Sequence, residues 1–188
     1  MGRWEPGASG RLREAALALY LERGFEQTMV ADIAERAGVT ARTFFRYFGD
    51  KREVLFDGSS ELEERSLAAL EAAPATASAL DAVSAALDAA AETIGDNRDL
   101  ARARQRVITA NASLRERELI KLTSMSAAVA GGLRQRGIGD AEASLAAETG
   151  IAVFRVAFER WVNAAEDRDF GDVIHETLTQ LRTLTAAS

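Results

Sequence analysis

Residues 28–55 read TMVADIAERAGVTARTFFRYFGDKREVL, and the spacing inside this stretch decides how the chain folds. Val30, Ile33, Ala34 and Ala37 fall at i, i+3, i+4 and i+7, which lines them along one face of a helix, while Asp32, Glu35 and Arg36 occupy the other. Thr28 or a neighbour caps the first turn, and Gly38 stands where a left-handed residue would end the helix. Thr40 is then a cap for a second helix whose leading turn carries Ala41, Arg42 and Thr43. Small or hydrogen-bonding side chains at that end are what a major-groove reader needs, because those positions reach base edges. Phe44 and Phe48, four apart, anchor the helix inward. Asp50 with Glu53 three residues later is an acidic variant of a capping box, so the spacing predicts a further helix from Lys51. The pattern is that of a helix-turn-helix.

Ahead of it, residues 10–23 form a helix with Leu12, Ala15, Ala16, Leu19 and Tyr20 on its inner stripe, stopped by Gly24, and Phe25 plugs the small core beneath the reader. Residues 1–9 read as a disordered arm, and Arg3, Arg11 and Arg13 are expected to reach phosphates or a minor groove, with a solvated tail as the alternative for Arg3. Behind it, the helix from Lys51 runs to a stop near Pro74. An alanine-rich helix with Leu80, Val83 and Leu87 on one face ends at Gly95, Asp96 and Asn97. Arg98 to Thr109 is a short helix with arginines at 98, 102 and 106, and Asn111 breaks it. Ser113 with Glu116 is a second capping box, opening a helix that contains Gly131 and Gly132. Each glycine costs about 1 kcal/mol relative to alanine, which points to close backbone packing or a bend beside a cavity, with a surface fray as the alternative. Gly137, Gly139 and Asp140 mark the next turn.

The last two helices, over about 141–165 and from about 169, are the most apolar. The first is hydrophobic over more than one face and so is expected to be buried from two sides. Two such helices from each of two chains make a four-helix bundle, with Val153, Phe170, Ile174, Thr177, Leu178 and Leu181 as the expected dimer interface. A dimer also suits the reader, since one helix-turn-helix covers a few base pairs and two related by a two-fold axis read a palindrome.

The fold class is therefore all-α: an N-terminal three-helix DNA-binding domain over residues 1–52 and a larger helical dimerisation domain over 53–188, about nine helices in all, to which the resemblance given below adds ligand binding. With 188 residues and 47% hydrophobic residues, the chain can bury a substantial core. Its net charge of -6 runs against nucleic acid binding until the chain is divided. Residues 1–52 hold nine Lys or Arg against seven Asp or Glu, whereas 53–188 hold 14 against 22. The positive balance sits on the reader.

No cysteine is present and His175 is the sole histidine, which excludes thiolate and His/Cys metal sites and leaves no motif for nucleophilic catalysis. No phosphate loop occurs. No metal, cofactor or enzymatic activity is expected. There is no apolar run near 18 residues and no basic leader with an apolar core, so the expected location is the cytoplasm, without membrane contact.

The stretch from Thr28 to Leu55 resembles the N-terminal domain of the TetR family of bacterial transcriptional regulators, through Thr28, Ile33, Ala34, Ala37, Gly38, Val39, Thr40, Thr43, Phe44, Tyr47, Phe48, Lys51 and Leu55. The resemblance implies DNA contacts at Thr28, Arg42, Thr43, Tyr47 and Lys51. With Arg11, Thr40, Phe44 and Arg46 these make up the candidate DNA-binding set. Two departures stand out: Phe45 replaces a phosphate-binding tyrosine of many relatives, and Arg42 replaces a glycine. Residues 104–122, RQRVITANASLRERELIKL, resemble a branch of that family with an acyl-CoA-like ligand-binding domain. This implies a small-molecule effector, an acyl-CoA or another hydrophobic ligand, and the candidate pocket residues are Arg106, Met125, Phe154, Phe158 and Trp161. The implied function is a ligand-responsive repressor that binds a double-stranded operator as a homodimer. The alternative is a helical protein–protein interaction module without DNA binding.

Overall fold

The computed structural model describes residues 7–95 and 97–186. Among them there are nine α-helices and no strand: α1 (Ala8–Arg23), α2 (Val30–Arg36), α3 (Ala41–Tyr47), α4 (Ser59–Ala72), α5 (Ala79–Ile94), α6 (Arg98–Ala110), α7 (Ala112–Gln135), α8 (Asp140–Asn163) and α9 (Phe170–Ala186). The part of the expected N-terminal arm that holds Arg3 and the expected stop at Asp96 lie outside the described residues. The chain forms two compact units. One comprises residues up to 57 together with 102–118, and the other comprises 58–101 with 119 onward. The expected head of residues 1–52 is thus part of a discontinuous unit, because Val107, Ile108 and Leu114 are buried in the same core as α1, α2 and α3.

That first core is built from Leu12, Ala16 and Leu19 of α1, Ile33 of α2, Phe44 of α3 and the loop residue Phe25, all buried. The helix expected from Lys51 does not form there. Asp50 does act as a cap, accepting from the backbone N–H of Arg52 (2.7 Å) and of Glu53 (3.3 Å), but what it opens is a single 3-10 turn over Glu53–Phe56. Val54, Leu55 and Phe56 are consecutive and all buried, which a surface helix with one apolar face cannot achieve. Gly58, at φ +88°, then breaks the path, and α4 begins at Ser59. Two arginines fasten the second segment to this turn: Arg104 Nε donates to the Leu55 carbonyl (2.5 Å), and Arg117 Nε pairs with Glu53 (2.5 Å).

The second unit packs α5 against α4, α8 and α9, with α8 on α9. Small residues set the spacing. A Cβ added to Gly150 of α8 would stand 2.5 Å from Val83 Cγ1 of α5, so these helices meet at glycine. In α7, Gly132 meets Leu70 of α4 at 3.1 Å by the same measure, as close packing requires, whereas Gly131 faces open space. Arg136 Nη1 donates to the carbonyls of Leu70 (3.1 Å) and Ala73 (2.9 Å), and its Nη2 donates to Pro74 (2.7 Å), so one guanidinium satisfies the carbonyls left over at the end of α4. α7 starts at Ala112, directly after Asn111, which places Ser113 inside the helix rather than at its cap.

In the single chain the residues expected at a dimer interface are turned inward. Val153, Phe170, Ile174, Thr177 and Leu178 are buried in the core of their own unit, and Leu181 packs against it. The apolar stripe of α9 is spent on α5 and α8 of the same chain. What remains outward is a different set, Leu145 and Val156 on α8 and Leu184 on α9.

Candidate nucleic-acid interface

The turn between α2 and α3 is made by Gly38, whose φ of +67° is open to glycine and strained for other residues. Its N–H donates to Glu35 O (3.0 Å) and that of Val39 to Ala34 O (2.9 Å), which closes α2 and aims the chain into α3. Thr40 caps α3 as expected: its Oγ1 accepts from Thr43 N (3.2 Å), and the two threonine hydroxyls lie 3.1 Å apart. Arg11 of α1 steadies the turn from behind, donating to Ala37 O (3.2 Å).

α3 has a sharply two-sided character. Phe44 is fully buried, with its ring centroid 5.5 Å from Phe48, and it holds the helix on the core. Arg42, Phe45, Arg46 and Tyr47 are all exposed. The Arg46 guanidinium lies 5.0 Å from the centre of the Tyr47 ring and donates to its hydroxyl (3.2 Å), so the two present one combined cation and hydroxyl. Arg42 has no hydrogen-bond or ion-pair partner among the described residues. Other head cations are engaged: Arg13 with Asp57 (3.3 Å), Arg23 with Asp32 (3.3 Å), Arg36 with Glu22 (2.5 Å) and Arg52 with Asp50 (2.6 Å). Arg42 and the Arg46–Tyr47 pair thus place positive charge, without an ion-pair partner among the described residues, on the outer face of α3.

Three residues of the candidate set are placed elsewhere. Thr28 is 1% exposed and its hydroxyl donates to Gly24 O (2.8 Å); Met29 takes the cap position of α2 instead, and its N–H is met by Asp32 Oδ2 (3.0 Å). Thr28 shapes the loop and has no hydroxyl left to offer a phosphate. Phe44 is core. Lys51 turns its ammonium onto the ends of that same loop, donating to Phe25 O (2.9 Å), Thr28 O (3.0 Å) and Glu26 O (3.4 Å), with the Phe25 ring centre 4.4 Å away. Tyr20 completes the brace by donating to Lys51 O (2.6 Å), and burial, followed by the nearby Asp50 charge, raises its phenol well above the ordinary value. These residues hold the reader in shape. Met29 and Phe45 are exposed apolar side chains on the same unit.

The candidate pocket residues divide between the units. Arg106 belongs to the first and is exposed. Met125, Phe154 and Phe158 are half-buried in the second. Trp161 is enclosed there, stacked on Phe170 at 4.8 Å with its indole N–H donated to Arg168 O (2.8 Å), which makes it a core side chain. Two buried serines supply polarity in that unit: Ser126 Oγ donates to Glu148 (2.7 Å), and Ser66 Oγ has no hydrogen-bond partner among the described residues.

A helix held by its aromatic side, capped by threonine and presenting two arginines outward after a glycine turn defines a helix-turn-helix DNA-binding protein. Residues 12–57 match the family described as bacterial regulatory proteins of the tetR family, and residues 77–186 match the MftR C-terminal domain. The chain belongs to the TetR family, and it is a transcriptional regulator rather than an enzyme. It is similar to the HTH-type transcriptional regulator TcmR of Streptomyces glaucescens, 43% identical over 86 residues that make up 46% of this chain and 38% of the relative. Among solved structures, FadR of Bacillus subtilis in complex with stearoyl-CoA aligns at a TM-score of 0.65 with 21% identity, covering 92% of this chain and 96% of that one. FadR of Thermus thermophilus in complex with lauroyl-CoA aligns at 0.57 with 23% identity, covering 93% of each. These last two share the fold. Among the described residues no helix is long and apolar enough to cross a membrane.

Proposed function

We propose that this regulator is a repressor that occupies a palindromic operator in the cytoplasm as a homodimer and is released by a small hydrophobic effector of the acyl-CoA class. The observation that carries the operator reading is the outward face of α3, where Arg42 and the Arg46–Tyr47 pair stand on a rigid aromatic base. Arg42 is suited to the O6/N7 edge of guanine and the Arg46–Tyr47 pair to phosphate. Thr40 and Thr43 add hydroxyls at the leading end. The effector reading is supported by the shared fold with two acyl-CoA-bound proteins. Met125, Phe154 and Phe158 are its candidate apolar contacts, with Ser66 and Ser126 as polar ones.

The dimer reading moves to the exposed stripe of α8, where Leu145, Ala152 and Val156 fall at i, i+7 and i+11, with Leu184 of α9 also exposed. Selection of bound fragments from random duplex DNA tests the operator: an inverted repeat is expected, and recovery of no preferred sequence would overturn the reading. On that operator, an acyl-CoA panel of increasing chain length is expected to release the protein. A panel that neither releases DNA nor raises the melting temperature would remove this effector class. Sedimentation at micromolar concentration is expected to give a dimer, and Val156→Glu a monomer that no longer holds the operator.

A further inference from the structure

Phe45 is the most exposed side chain of its kind on the reader helix, 57% accessible, and it sits one turn after Arg42 on the same outward face. Its ring is not loose: it stands edge-on to the buried Phe44, with centroids 5.4 Å apart and planes at 83°. A phenyl ring has no donor or acceptor, so a phosphate offers it nothing, and of the groups on the major-groove edges of the bases the 5-methyl of thymine alone is apolar. Its neighbours Arg42 and Arg46 are suited to the polar partners on either side. We propose that Phe45 is a specificity-determining residue that reads thymine through its 5-methyl group. The inference rests on the reading of α3 as the operator-contacting helix.

Removing one methyl from an apolar contact weakens binding by about four-fold. The test uses the full-length protein and the operator recovered by selection, with each thymine replaced in turn by deoxyuridine, which keeps base pairing and removes the methyl alone. Fluorescence anisotropy is expected to show one thymine per half-site whose replacement costs the wild type about four-fold, while Phe45→Ala binds the thymine and uracil duplexes equally. Phe45→Leu, still apolar, is expected to restore part of the discrimination. Thermal melting of the free variants checks that each is folded. Tight operator binding by the wild type with no thymine sensitive to the replacement would overturn the inference while leaving the regulator reading standing. A sensitivity that survives in Phe45→Ala would assign the methyl to another residue and also overturn it. Failure to select any operator would instead strike the reading on which it rests.

Discussion

Lys51→Met separates two roles that the same residue could hold. Methionine keeps the stem against the Phe25 ring and removes the ammonium, leaving the Phe25, Glu26 and Thr28 carbonyls without their donor. A hydrogen bond to a charged group contributes about 1.5–3 kcal/mol, and the cation over the ring adds about 0.5–1 kcal/mol at a partly exposed site. The loop is near the surface, so water replaces part of what is lost, and a net cost of about 2–3 kcal/mol follows. For a chain of this size that lowers the melting temperature by about 5–10 °C, followed by circular dichroism. If Lys51 braces the loop, the dependence of operator affinity on salt keeps its slope, although affinity falls as the reader loosens. If it neutralises one phosphate in each protomer of the dimer, the slope of log K against log salt drops by about 1.8, roughly 0.9 per site. An unchanged melting temperature together with that drop in slope would refute the brace.

Arg42→Ala is expected to cost about 1–3 kcal/mol of operator affinity per half-site and to relax preference at one base pair in each, measured by competition with single-substituted duplexes. Gly150→Ala places a methyl 2.5 Å from Val83 Cγ1 and should destabilise by about 1–3 kcal/mol in urea unfolding, whereas Gly131→Ala, in open space within α7, should stabilise by up to about 1 kcal/mol. The Arg52 side chain, with the backbone N–H groups of Arg52 and Glu53, holds the Asp50 carboxyl below its ordinary value of 3.8 despite partial burial. Its contribution to stability is therefore fully present above that value and lost as pH falls through the lowered one. The stability difference between wild type and Asp50→Asn should shrink over that acid interval, and a constant difference would remove Asp50 as the cap.

The reader was legible because its rules are local. The Gly38 turn, the Thr40 cap and the inward Phe44 and Phe48 depend on neighbours within a few residues, and each is found in place. The order and type of the helices followed from period and capping in the same way. What the sequence could not convey was which partner covers a given face. The stripe of α9 is unmistakable as a periodicity, but periodicity says that a face is buried and not whose side chains bury it. Lys51 and Thr28 were legible as positions in a motif, while their hydrogen-bond partners lie 23 to 26 residues away for the lysine and inside the loop for the threonine. The apolar triplet Val54–Phe56 followed by Gly58 argues against a continuous helix, which the spacing of Asp50 and Glu53 alone does not reveal. The membership of residues 102–118 in the head left no mark in the sequence at all, since it consists of long-range packing.

That last arrangement limits how such regulators can be recombined. Trading the first 57 residues for those of a relative, as one would trade a module at a linker, transfers the operator-reading face but leaves Val107, Ile108 and Leu114 of the recipient against foreign side chains, and strands Arg104 and Arg117 without the Leu55 carbonyl and Glu53. A chimera that keeps its head stable has to carry two pieces of the chain together. Between diverging copies, new DNA specificity would be gained more easily by point changes on α3 than by shuffling, because the outward residues there can change without disturbing that shared core.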